Sequence, residues 1–424
     1  MRLHWLFAVA FASAVVGCSH RLEVHVSPSG DDGANGTAAH PLRTLRGARD
    51  FLRTCRASGR LDRGADVWFA DGVYPISETV EFSDLDSGTS GALISYRAVN
   101  KGAAVFVGSA ELAWSPLSSG DLHYGLIPEK ARRHVVTAAL PGTGHLSGFL
   151  GGAIDPKHET EHPLSVFADG CRLKLSRYPK ESLLRVEKFH GEPVYEGRCV
   201  GWITKKGVFD FDSPRLKDWS REPDLWAHGY WVFLWRDMAS RVLKADPVGK
   251  TMSIATDNSL GIGFKDHDAQ FYVFNALSEI DSPGTWAVDR ITRRLYVWPP
   301  AEDSKIQVAE SEHLVVANGL QDVIFSGFVA ECSRDTALTF KNCRRVKMTA
   351  LTVRHTSGWG IQIEGGEDCR VEGCDLDDLG EGGVAPLCAG DTRRAAPGRA
   401  LHGLRPLPAA LPSVDRRARR NRRG

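Results

Sequence analysis

Val323-Ile324-Phe325, Val346-Lys347-Met348 and Val371-Glu372-Gly373 are three short apolar-centred runs in the stretch 314–384. The first valines recur at spacings of 23 and 25 residues, and Phe328, Leu351 and Leu376 recur in step with them. Glycine comes where a turn would fall between the runs. Self-similarity at this period marks a solenoid whose repeats bury their apolar faces only by stacking on one another. A leucine-rich repeat has a similar period but needs a leucine ladder and asparagines, and both are missing. Runs of three to five residues, β-branched and separated by glycine, predict the coils of a right-handed parallel β-helix, stacked at the strand spacing of ~4.8 Å. The expected fold class is therefore all-β.

Outward from this stretch the texture changes. Towards the N-terminus, Leu22 to Val26 alternates like a strand, and a loop rich in Gly, Asp and Asn follows. Thr44 then reads as a helix cap ahead of a stripe of Leu45, Ala48, Phe51, Leu52 and Cys55, predicting a helix that lids one end of the core. Short strand signals continue through Val67-Trp68-Phe69, Val73-Tyr74, Val80 to Phe82, Leu93 to Tyr96 and Val105 to Val107. Residues 113–305 lack a regular interval and are rich in tryptophan, including Trp202, Trp219, Trp226, Trp231, Trp235, Trp286 and Trp298. They predict an inserted, β-rich, sandwich-like domain.

The two ends read differently from the body. Arg2 followed by the apolar run Leu6 to Val16 is a short signal-type segment, so 1–17 is expected to be a signal peptide. Val15-Val16-Gly17-Cys18 resembles a bacterial lipobox, which implies lipidation at Cys18 and, with Ser19 following, an outer-membrane address. The alternative is an ordinary secretory signal in which Cys18 is incidental. Residues 385–424 hold ten Arg against Asp391 and Asp415, a charge of +8, so the rest of the chain carries −7 within the net +1. A mildly acidic body argues against nucleic acid as a partner. The tail 389–424 reads as disordered, and its Arg, Ala and Pro mixture is the kind a shifted reading frame through GC-rich DNA produces. Cys343, Cys369 and Cys374 fall inside apolar strand patterns and read as small buried hydrophobes, with no CxxC metal pair.

Several segments carry a family resemblance. Val26-Ser27-Pro28-Ser29-Gly30-Asp31-Asp32, Pro41-Leu42-Arg43-Thr44-Leu45 and Ala48-Arg49-Asp50 resemble the opening of the pectate-lyase-like β-helix superfamily. Asp71-Gly72-Val73-Tyr74, Asp86-Ser87-Gly88-Thr89 and Tyr96-Arg97-Ala98 continue the match in order. Asn275 to Trp286 and Leu295 to Pro300 resemble the inserted domain of a subgroup similar to glycoside hydrolase family 141. The resemblance implies first coils and cap over 18–112, later coils over 306–388, and an exported carbohydrate-active protein. Longer members of the subgroup continue with a Gly-Gly-Asp-Arg-like run, of which only Gly390-Asp391 is present here.

Such an activity implies a polysaccharide partner, a glycoside hydrolase working with paired carboxylates, and a monomer without a cofactor. Glycosidic hydrolysis needs two carboxyl groups flanking the bond, ~5 Å apart for retention or ~6.5–9.5 Å for inversion. Asp378, Glu381 and Asp391 gather at the last readable coil and are the catalytic candidates. Turn capping through side-chain to backbone hydrogen bonds is the structural alternative for the first two. His355 stacks on Asp378 if Gly360-Ile361 and Gly383-Val384 are equivalent turns; the 25-residue spacing of Leu351 and Leu376 shifts that register by two. Trp231 and Trp235, in a cluster with Trp226, Tyr230 and His228, are candidates for stacking on sugar rings, with core packing as the alternative. Two rival functions remain: a polysaccharide lyase, which would add a Ca²⁺, and a non-catalytic carbohydrate-binding or adhesion protein. An inactive gene remnant is a third.

Overall fold

The structure, a computed structural model, describes residues 21–141 and 164–387, apart from 193–194, 198–200, 205, 235, 257–260 and 265–268. Its frame is three parallel sheets that share one core. The first sheet runs Leu22–Val26, Ala65–Phe69, Ile94–Ala98, Val323–Ser326, Lys347–Thr349, Arg370–Glu372. The second runs Gly72–Pro75, Ala104–Val107, Val329–Glu331, Thr352–Thr356, Asp375–Leu379. The third runs Val80–Phe82, Val315–Asn318, Leu338–Lys341, Trp359–Glu364, Gly382–Leu387. The chain visits the sheets in that order once per coil, so the molecule is a parallel β-helix, as the repeat predicts.

In the C-terminal coils the period is 23 throughout: Ile324 pairs with Lys347 and Lys347 with Arg370. The 25-residue spacing is thereby corrected, since Val371 lies opposite Met348 and Leu376 opposite Val353. Alternate residues point inward, and those inward positions are Val323, Phe325, Val346, Met348, Leu351, Val353 and Val371, all buried. Aromatic rings fill the middle of the tube. Tyr96 stacks on Phe325 with centroids 5.4 Å apart, and Phe82 meets both rings edge-on.

Three turns close each of these coils, and four positions in them use left-handed backbone, the first two in the turn from the third sheet to the first. Gly319, Asn342 and Gly365 form one ladder of positive φ, Asp322, Arg345 and Asp368 a second, Gly327, Ala350 and Gly373 a third. The fourth is Cys332, His355 and Asp378. Asn and Asp tolerate this conformation better than most non-glycine residues.

The N-terminal end is lidded by the helix Leu45–Ala57. The Thr44 hydroxyl accepts from Gly47 N at 2.8 Å, and Asp32 holds the Thr44 hydroxyl and amide, so the helix start is fixed from two sides. Leu45, Ala48, Leu52 and Cys55 are buried against the coils; Phe51 is half-buried. Arg53 reaches Asp86, itself buried, at 2.7 Å.

The chain leaves the coils after Ala104–Val107 and re-enters them at Val315–Asn318, at the corner between the second and third sheets. Between these points lie mainly antiparallel sheets. A four-stranded sheet at the base orders Cys171–Arg172, Val166–Ala168, Ile306–Ala309, Ser109–Ala110. Beyond it the largest sheet carries Gln270–Phe274, Trp226–Phe233 and Arg236–Asp246 at its centre. This sandwich-like insertion has its own cores, one around Phe209, Trp231, Met252 and Phe271, another around Trp226, Phe274, Trp286 and Leu295. Among the described residues no helix is long and apolar enough to cross a membrane.

Candidate functional site

The base sheet of the insertion lies along the corner formed by Cys332, His355 and Asp378, and there the predicted site residues meet partners from elsewhere in the chain. The flanking pairs Arg354–Asp377 and Thr356–Leu379 place His355 opposite Asp378. His355 Nδ1 and Asp378 Oδ2 are 2.8 Å apart. From the insertion, Arg172 Nε donates to both Asp378 oxygens at 3.0 and 3.2 Å, and its Nη2 donates to Thr356 O at 2.9 Å. Arg172 Nη1 donates to Ser165 Oγ at 2.6 Å, and Ser165 in turn bonds Ser357 on the coil. Phe167 lies under the guanidinium and against the His355 ring, 5.3 Å between centroids.

The electrostatics follow from this. The hydrogen bond from His355, aided by the Arg172 charge, holds the Asp378 carboxyl below the usual carboxylate range. Asp378 therefore stays ionised at neutral pH, which suits a base or nucleophile and not a proton donor. Gly380 sets the path of the chain beyond it: a Cβ there would stand 1.9 Å from Ser357 O, so only glycine lets this corner close on the coil before it. Glu381 comes next, exposed, with its amide donating to Gly358 O. Asp391, Trp235 and Cys18 lie outside the described residues. Trp231 is a correction: it is 2% exposed, stacks on Phe271 and donates from Nε1 to Met238 O at 2.9 Å. Its ring is core, not surface, and it has no free face for a sugar. His355 is 9% exposed, with Nδ1 engaged by Asp378.

A cavity of about 770 Å³ opens from Ser165 and Arg172 into the insertion. Lys174, Arg177, Lys180 and Glu181 line it, together with His228, Tyr272, Phe274 and Trp286. His228 lies flat on Tyr272, centroids 5.2 Å apart, and is held by Asp237 at 2.9 Å. An apolar, aromatic lining with a few convergent polar groups is the usual make-up of a small-molecule site. Sequence reading missed Arg172, Lys174, Arg177 and Tyr272. No motif marks them, and only the packing of the insertion on the coils brings Arg172 to Asp378. A second cavity, between the N-terminal helix and the third sheet, is lined by Arg46, Arg49 and Arg53. Each of these holds a carboxylate, Glu78, Asp50 and Asp86 respectively. That layer is internally neutralised. Among the described residues no three His, Cys, Asp or Glu side chains group as metal ligands.

No family model and no curated protein matches the chain. Among solved structures it is similar to one titled "Glycoside hydrolase", with a TM-score of 0.55 and 14% identity over 85% of this chain and 74% of that one. The likeness is one of fold. A structure titled as the complex of XylC with xylose aligns with a TM-score of 0.39 and 11% identity, over 85% of this chain and 54% of that one.

Proposed function

We propose that this is a carbohydrate-active protein that seats a glycan in the cavity where the insertion meets the coils. One observation carries the reading: the cavity of about 770 Å³ gathers Arg172, Lys174, Arg177, Lys180 and His228 among apolar side chains, and the same Arg172 holds Asp378. Apolar walls suit sugar C–H surfaces, and the polar groups suit hydroxyls. The structure titled "Glycoside hydrolase" supports the assignment by fold analogy.

In the catalytic form of the proposal the reaction is glycoside hydrolysis. Asp378, held ionised, acts as base or nucleophile, and Glu381 is the proton donor across the bond. Non-catalytic glycan binding is the second reading, and a specific observation favours it: both Asp378 oxygens are already engaged by Arg172. A lyase, with a Ca²⁺, is the third. Export through 1–17 and anchoring by a lipid on Cys18, to place the protein monomeric on the outer membrane, belong to the same proposal.

The test is product release from a panel of polysaccharides by the full-length protein. Hydrolysis predicts new reducing ends without an ultraviolet-absorbing double bond, and a loss of at least about 100-fold in Asp378→Asn and in Glu381→Gln. Unsaturated products would instead establish a lyase. Binding without turnover would leave recognition alone.

A further inference from the structure

The cavity's charges are not all spoken for. Arg172 is held by Asp378, and Lys180 by Asp281 at 2.8 Å and by Glu279 O. Arg177 is held differently. Its guanidinium lies 3.7 Å from the Tyr272 ring centroid, and its Nε and Nη2 donate to Pro179 O and Ser182 O. Among the described residues no carboxylate meets it, and none meets Lys174, which is exposed in the same lining. Among the described residues Glu181 is the only carboxylate side chain in the lining, and it is exposed.

We infer that the cavity selects a glycan bearing an anionic substituent, a uronate carboxylate or a sulfate ester, through Arg177 and Lys174. This rests on the cavity being the glycan site. An unpaired cation on an aromatic face is costly to bury, and burial does pull the Arg177 pKa down from its ordinary value. An anion repays that cost. A guanidinium already fixed by two backbone carbonyls presents its remaining N–H groups in a set direction, and a charge-assisted bond to carboxylate or sulfate is about twice as strong as a neutral one. A neutral glycan would have to leave both cations without a counterion.

The experiment is calorimetric titration of the full-length protein with three trisaccharides: a tri-galacturonate, its fully methyl-esterified form and a sulfated galactose trisaccharide. The expected result is that at least one charged ligand binds about tenfold or more tightly than the neutral ester. Added salt should erode that advantage. Lys174→Gln and Arg177→Gln should each narrow the ratio of charged to neutral affinity. Lys174 is exposed, so its variant should fold normally, which thermal melting checks. Whichever charged ligand binds more tightly names the anion. Equal binding of acid and ester overturns the inference while leaving a glycan site in place, as does an advantage unchanged in both variants. No binding by any of the three overturns the inference and the cavity's assignment together.

Discussion

At position 378 a carboxylate occupies left-handed backbone, φ 47°, because the coil corner requires it there. The same corner puts His355 and Cys332 in the same conformation one and two coils earlier, respectively. Aspartate suits it on two counts: it tolerates positive φ, and its side chain can take the charge of Arg172. The ion pair is partly exposed, with about a third of each side chain open to solvent, so its contribution is modest. Its pH dependence is nevertheless specific. The folded carboxyl titrates below its unfolded value of about 3.9. Its contribution is therefore fully present above that value and is lost as pH falls through the lower, folded one. Urea unfolding of the native protein and Asp378→Asn should differ by a constant amount from pH 7 to about pH 5, and the gap should close below about pH 4. A gap that grew on acidification would mean that Asp378 is protonated in the folded state. This residue and His355 were legible in the sequence, because the Gly360 and Gly383 turns align them. Trp231 was not, since an alternating run of aromatics reads the same whether its rings face a core or a sugar.

The corner ladders set the behaviour of single elements. Position 350 breaks its ladder, with Ala350 at φ 54° between Gly327 and Gly373. A Cβ in left-handed backbone costs about 1–2 kcal/mol, offset in part by the greater freedom glycine has in the unfolded chain. Ala350→Gly should therefore stabilise the protein by roughly 0.5–1 kcal/mol, read as a higher denaturation midpoint with unchanged slope. A lower midpoint would show that the methyl group's packing outweighs the strain. The same coils explain why a spacing of 25 could be mistaken for one of 23. Val346 and Met348 both point inward, so moving the register by two residues keeps the apolar face inside and leaves the pattern unchanged. Hydrogen bonding between coils decides between the registers, and that is invisible in a single sequence. The helix Leu45–Ala57 was easier to read, because its cap and stripe are local signals.

Across the whole molecule, the coils are the frame, and the insertion sets Arg172 and Ser165 against it. The β-helix was legible because it repeats. The insertion was legible as a change of texture and through the resemblance of Asn275 to Trp286 and Leu295 to Pro300, but its seam was not legible, since Arg172 and Asp378 are 206 residues apart and neither belongs to a motif. Sequence reasoning set its catalytic candidates on the last readable coil and its stacking candidates in the insertion; our proposal places glycan recognition at the seam, where Ser165 and Arg172 join the cavity to the last described coils, and not on the outward faces of the coils. Hydrogen–deuterium exchange of the full-length protein, with and without a bound oligosaccharide, separates the two locations. Binding at the seam predicts slowed exchange concentrated in 164–182, 226–230 and 270–286, with the outward faces of the stacked coils unchanged. Protection running instead along Ile324, Lys347 and Arg370 on the first sheet, with the seam unaffected, would contradict it.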